Sequence, residues 1–506
     1  MARPCCALLL VLTGGAFGAW EPEIEAKGRS WNALIEQELD RSMALYERPA
    51  SLDAAEALLL EILGDPYRLV LVVGNRLVVD RRLLLQKKGM HHIEFVKSVM
   101  ERAPLDNVAY QWEWNADGFN SEDQLVREGC PTPANMKLNR VKPKSKLRQK
   151  DATPLPRLVI AKRYGYDQCG ILVPNCYFDD LTKWGRLAET ITDVAAGLPF
   201  EKRDGRVFWR GSIRTEPDCD DEAGNFARTE AVALTAAHPD VFDVRCLECD
   251  VRDEARQFCP RHVFADETKR HLGDLRKLGA SHVDKSSFGR YQFQLNLPGS
   301  VSGSYSRNLN HLWLLGSVIA MWDAPYVEWY YPALAEGVTH LALNRSTALD
   351  AVRDVPRRAV ETMLRNARAV YDRLLCPDCL AAYMRTLVRK MRAYFRLGDV
   401  LDDPARLRRV LERLDVASLE LVEFTIREKK IHINFITTRH QLLELAAHTN
   451  DTAVEAKLND AKPWRQRRRG DKGGTFTLDG GGGRRRPFSR AAAAKVHQGA
   501  ISRRTQ

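Results

Sequence analysis

Residues 205–216 read GRVFWRGSIRTE, and the fold turns on how this stretch is taken. The run Val207-Phe208-Trp209 is short, apolar and aromatic, as in a buried strand, and it ends in a Gly-Ser pair bracketed by Arg210 and Arg214. The plain reading is a surface turn with salt-bridged arginines. The alternative is the carboxyl end of a strand in an open α/β sheet, where ligands bind and where paired guanidinium groups suit a double anion.

The neighbouring sequence favours the α/β alternative. Strand-like runs are expected at RLVIAKRY (157–164), ILVPNCYF (171–178), VFDVRCL (241–247), YQFQLNLPG (291–299), SVIAMW (317–322) and VTHLALN (338–344). Helical patterns separate them at 181–198, 228–238, 266–279 and 306–316, the alternation of a parallel sheet with helical crossovers. The stretch 355–395 reads as helical throughout. A second candidate strand end is LNLPGSVSGSYSRNLNHL (295–312), in which a Gly/Ser loop carrying Arg307 opens a helix. Free N–H groups and the positive dipole end at a helix start favour an anion there. Upstream, helices are expected at 31–48 and 53–64, a hairpin about the Gly-Asn pair of YRLVLVVGNRLVVDRR (67–82), a helix at 91–104 and a strand at 107–114. The Pro/Lys-rich segment 131–156 reads as a linker.

Charge separates the body from the tail. The net charge is +11, and residues 462–506 alone hold 13 Lys+Arg against 2 Asp+Glu, so residues 1–461 are formally neutral. A neutral body lacks the distributed basic surface of a duplex-binding protein, so no nucleic-acid partner is expected for the folded core. The first 18 residues read as a cleaved signal peptide, ending in Ala16-Phe17-Gly18, and their apolar run is too short for stable membrane insertion. Nine cysteines would then enter an oxidising compartment. Cys246-x-x-Cys249 and Cys376-x-x-Cys379 lack zinc-ribbon spacing, so local or cross-domain disulfides are expected. Asp218-x-Asp220 resembles a metal-holding pair but reads as an acidic turn, and no metal site is expected.

Taken in order, FWRGS, YQFQLNLPG, SYSR, HLWLLGSVIAMW and EWYYPAL resemble glycosyltransferase family 90, the capsule-associated and Rumi-type protein O-glucosyltransferases. WNALIEQ (31–37), GNRLVVDR (74–81), HHIEFVKSVMERAP (91–104) and ILVPNCYF (171–178) extend the likeness over about residues 30–395. Each piece is degenerate, and it is their order that carries the resemblance. It implies an α/β fold of GT-B type, with two Rossmann-like domains facing a cleft: 30–200 on the acceptor side and 201–395 on the donor side. The final helices of the second domain are free to pack back on the first. A helical extension (396–461) and a disordered basic tail (462–506) would follow.

The resemblance further implies an inverting, metal-independent transfer of glucose or xylose from a UDP-sugar to a protein or glycan hydroxyl, in the ER lumen or Golgi. No cofactor is implied beyond the UDP-sugar co-substrate. The donor diphosphate would meet Arg210, Gly211, Ser212, Arg214, Ser304 and Arg307. Two departures stand out: the stretch between Gly299 and Gly316 is longer than the family pattern, and Arg307 is one residue too far from Leu312. Inversion needs a carboxylate base. The resemblance places it at Asp117, with Glu113 as the alternative, although WEWN replaces the usual small polar run before the Asp. A non-catalytic sugar- or protein-binding relative and a polyanion binder acting through the basic tail are the competing expectations.

Overall fold

The computed structural model describes residues 30–113, 155–162, 169–213, 226–249, 266–271, 277–299, 308–324, 326–427 and 430–449. All of these lie in one compact unit, residues 1–459. The expected signal peptide and basic tail lie outside the described residues.

Twelve described strands form two sheets. The first has the order β12-β11-β2-β1-β3-β4-β5. Its strands are β1 (Leu69–Val73), β2 (Arg76–Asp80), β3 (Val108–Glu113), β4 (Arg157–Val159), β5 (Ile171–Leu172), β11 (Leu421–Arg427) and β12 (Lys430–Ile436). The second has the order β10-β9-β8-β6-β7, from β6 (Asp204–Ile213), β7 (Phe242–Cys249), β8 (Tyr291–Asn296), β9 (Val318–Trp322) and β10 (Leu341–Leu343). The helices used below are α1 (Trp31–Met43), α2 (Leu52–Leu63), α3 (Lys87–Arg102), α4 (Leu181–Ala196), α5 (Ala227–Ala237), α6 (Leu309–Leu312), α7 (Arg357–Val370) and α8 (Pro377–Tyr394).

The second sheet is parallel at every pairing. Numbered within itself, its order is 2-1-3-4-5, the doubly wound arrangement. Both faces are covered. Val207 and Trp209 pack with Ala231 and Val232 of α5 and Met363 of α7, while Phe208 and Met321 belong to the larger core shared with the first sheet. Strand periodicity sends alternate side chains of β6 to opposite sides, so one strand joins two cores.

The first sheet is mixed, which corrects the expectation of a Rossmann-like sheet over 30–200. Only β3, β4 and β5 run parallel to one another. The Gly74-Asn75 turn, with Gly74 at φ 60°, reverses the chain so that β1 and β2 pair antiparallel. A positive φ is why glycine sits there. Residues 396–461, expected to be a helical extension, contain the β11–β12 hairpin, and β11 adds antiparallel to β2. The fold is therefore α/β, with one all-parallel and one mixed sheet.

Helix ends follow the local chemistry. Ser30, Ser51 and Asp180 accept backbone N–H bonds at the starts of α1, α2 and α4. The helical run expected at 355–395 breaks at Cys376, which is extended (φ −64°, ψ 151°) after a π turn at Tyr371–Leu375. Pro377 at the first turn of α8 has no N–H to donate, which suits a helix start. α8 then reaches the first half: the Tyr383 hydroxyl donates to Leu172 O at 2.8 Å and the Tyr394 hydroxyl to Tyr46 O at 3.0 Å.

Candidate functional site

In an open α/β sheet, ligands bind outside the carboxyl ends of the strands, at the point where strand order reverses. In the parallel sheet that point lies between β6 and β8, which pair side by side. These are the strands of the two Gly/Ser ends marked in the sequence. Arg228, near the start of α5, clasps both: Nη1 donates to Ser212 O at 2.6 Å and Nε to Pro298 O at 2.8 Å. Its guanidinium lies 5.4 Å from the Trp209 ring centre, and the residue is buried. Sequence reasoning missed Arg228. It sits inside an alanine-rich helical pattern, and only the strand order reveals that it faces two strand ends.

Gly211 owes its identity to Trp209. A Cβ at Gly211 would lie 2.4 Å from Trp209 Cζ2, so glycine lets the indole lie across the strand end. Ser212 is half-buried and offers its carbonyl to Arg228. Arg214, Ser304 and Arg307 lie outside the described residues.

Arg210 turns away from the strand end. It shares a face with Phe208, whose ring centre is 4.3 Å from the guanidinium. Nη2 donates to Asp243 Oδ2 at 2.9 Å, and Nη1 to the carbonyls of Asp243 (2.6 Å) and Trp209 (2.9 Å). Asp243 also accepts from the Tyr291 hydroxyl at 2.8 Å and from Arg245 Nε at 2.7 Å. Burial works to raise the Asp243 carboxyl, but these bonds outweigh it and hold the group below the usual carboxylate range. Burial, reinforced by Asp243, pushes the Tyr291 phenol up to about 12. The charge of Arg210 is thus balanced by Asp243 on the neighbouring strand, and its role in this geometry is to brace the sheet beneath the site. Its Nε is buried with no hydrogen-bond partner.

A second polar cluster lies in the apolar core shared by the two sheets. Asn175 Nδ2 donates to Asn310 Oδ1 at 3.1 Å and to Glu328 Oε2 at 3.2 Å, and Asn310 Nδ2 returns a bond to Asn175 Oδ1 at 3.1 Å. Asn310 is on α6 and Asn175 follows β5. Val327, next to Glu328, is held by a two-bond bridge to Lys162 just past β4, each bond 3.0 Å. Burial pushes the Glu328 carboxyl up to about 7, only partly offset by the Asn175 bond. Asn175 and Glu328 fall within ILVPNCYF and EWYYPAL, yet neither motif by itself signals a buried acid.

The two base candidates fare differently. Asp117 lies outside the described residues. Glu113, at the end of β3, accepts from Arg68 Nε at 2.6 Å, and the Arg68 Nη1 bonds Asp65 at 2.7 Å. The Glu113 carboxylate is 14% exposed and tied to a cation, an arrangement that suits structure better than proton abstraction.

Cys376 and Cys379 form a disulfide, Cys169 and Cys246 are disulfide-bonded as well, and Cys176 is a buried free thiol. Among the described residues no group of three or more His, Cys, Asp or Glu side chains is arranged to hold a metal ion, and no helix is long and apolar enough to cross a membrane. Asp218 and Asp220 lie outside the described residues. In comparisons with known proteins, no family model and no curated protein matches the chain.

Proposed function

We propose that the chain is a glycosyltransferase that moves glucose or xylose from a UDP-sugar to a hydroxyl of a protein or glycan acceptor, in the ER lumen or Golgi. The transfer would invert the anomeric carbon and use no metal ion. The observation that carries this reading is the meeting of the two Gly/Ser strand ends at the reversal point of a doubly wound sheet, clasped by Arg228. A nucleotide diphosphate seated there finds small residues that admit close approach, and a nearby buried guanidinium. Donors fixed in advance stabilise the charge that grows on the leaving diphosphate without reorganising at the moment of reaction. In this reading the two sheets are the facing halves of a GT-B-type enzyme. Asp117 takes the base role, because Glu113 is engaged by Arg68.

A non-catalytic sugar-binding relative is the second reading, and the Glu113–Arg68 pair is the observation that favours it. A thermal-shift screen against UDP, UDP-glucose, UDP-xylose and GDP-mannose tests both. A ligand that binds only the folded state raises the melting temperature by mass action. The uridine nucleotides are expected to raise it and GDP-mannose to leave it unchanged. Silence from all four would overturn the proposal, while uridine-nucleotide binding without turnover would select the non-catalytic reading.

A further inference from the structure

We propose that Cys376–Cys379 is an exchangeable disulfide, a site of thiol–disulfide exchange with a small thiol of the glutathione class. The pair closes a short loop, Cys376-Pro377-Asp378-Cys379, by an S–S bond at the start of the 18-residue α8. Both cysteines are half-buried, so a small thiol has access to them.

The surroundings distinguish the two sulfurs. Cys376 occupies the N-cap, and its Sγ accepts from the Cys379 backbone N–H at 3.0 Å. A sulfur so placed is stabilised as a thiolate by that N–H and by the positive end of the helix dipole. Cys379 Sγ lies 3.2 Å from the carbonyl oxygen of Asp372 in the π turn, and once reduced its thiol has that oxygen to donate to. The site therefore has a partner ready for each sulfur in the dithiol state, one anionic and one protonated. The flanking acids are compensated: Asp372 is bonded to Arg368 Nε at 3.0 Å, and Asp378 to Arg102 Nη1 at 2.8 Å.

The exchange balances as follows. A thiolate RS⁻ attacks Cys379 Sγ, the S–S bond breaks, and its electron pair leaves on Cys376 as the held thiolate. A second RS⁻ attacks the R-group sulfur of the mixed disulfide and releases RSSR. Cys379 then takes up one proton, and its S–H donates a hydrogen bond to the Asp372 carbonyl. Two thiols are oxidised and one protein disulfide is reduced.

The full chain is equilibrated in glutathione buffers of graded reduced-to-oxidised ratio and alkylated. The tryptic peptide Leu374–Arg385, which carries both cysteines, is then weighed. Exchange predicts that this peptide opens at ratios at least tenfold more oxidising than those that open the disulfides of Cys169 and Cys246, with the circular dichroism spectrum unchanged. A peptide that stays closed until the fold is lost, or that opens together with the others, would overturn the proposal. In C379S, alkylation of the remaining Cys376 is expected to reach half its maximal rate below the ordinary thiol range near pH 8.5. Cys379 in C376S is expected at or above it, and identical profiles in the two variants would likewise count against the assignment.

Discussion

The two sheets differ in the chemistry of the polar groups that tie them together. In the mixed sheet, β1 is buried at all five positions, and alongside the Arg76–Glu423 pair of β2 and β11 a neutral amide serves as a polar hub. Asn107 Oδ1 accepts from Gly74 N at 2.7 Å, while its Nδ2 donates to Asp402 Oδ1 and to Thr449 O, each at 2.8 Å. In the parallel sheet the hubs are cations. Arg203 donates to Ala195 O, Leu198 O, Leu315 O, Gly316 O and Ser317 Oγ, which ties the end of α4 to the start of β9. Arg228 does the same for β6 and β8. An antiparallel hairpin closes its own hydrogen bonds locally, whereas parallel strands meet only through long crossovers. Their ends leave carbonyls that a multivalent donor can gather: Arg203 does so at the amino ends of β6 and β9, and Arg228 at the carboxyl ends of β6 and β8, where an anionic ligand would bind.

The sharpest way to break this contrast is to remove one hub from each half. Arg203→Met takes a charged donor from four carbonyls, of which, among the described residues, only Ala195 O keeps a backbone N–H, and is expected to cost about 4 kcal/mol, and Asn107→Ala about 2 kcal/mol, read by urea unfolding. Equal losses would show that charge adds nothing to the hub in the parallel sheet.

The cluster between the sheets gives a pH test of intermediate size. Glu328 has a folded value near 7 against an ordinary 4.5, so the folded protein binds this proton more tightly than the unfolded chain. The stability it contributes is complete below about pH 4.5 and is lost as pH rises through about 7. Relative to Glu328→Gln, which carries a neutral amide throughout, the native chain should weaken by roughly 3 kcal/mol between about pH 4.5 and about pH 8. Parallel stability curves for the two proteins would show that the carboxylate is not held in a desolvated site.

How much of this was legible in the sequence depended on whether the signal was local. The β1–β2 hairpin announces itself through Gly74-Asn75 between two Val/Leu runs, and the strands of the parallel sheet through short apolar stretches between helical patterns. The β11–β12 hairpin was not foreseen. Its edge strand does alternate, Ile431, Ile433 and Phe435 with His432 and Asn434 between them, but the apolar side is not a core face, since Ile433 and Phe435 are 59% and 62% exposed. The orientation of Arg210 was also out of reach, since it depends on the register that sets Phe208 opposite Asp243 on β7. Glu328 is buried by elements from both halves, and no window of its own sequence carries that information. The sequence did mark both strand ends of the candidate site, and chain topology explains why they meet.

The proposed function requires a uridine diphosphate group bound at the carboxyl ends of β6 and β8. Hydrogen–deuterium exchange of the full chain with and without UDP decides it, because backbone amides should exchange more slowly once a phosphate takes up their N–H groups. Protection is expected in peptides covering the end of β6 and the start of α5, and the end of β8 and α6, with β1, β2, β11 and β12 unchanged. Protection centred on the mixed sheet, or none at a UDP concentration that saturates any thermal shift, would contradict it.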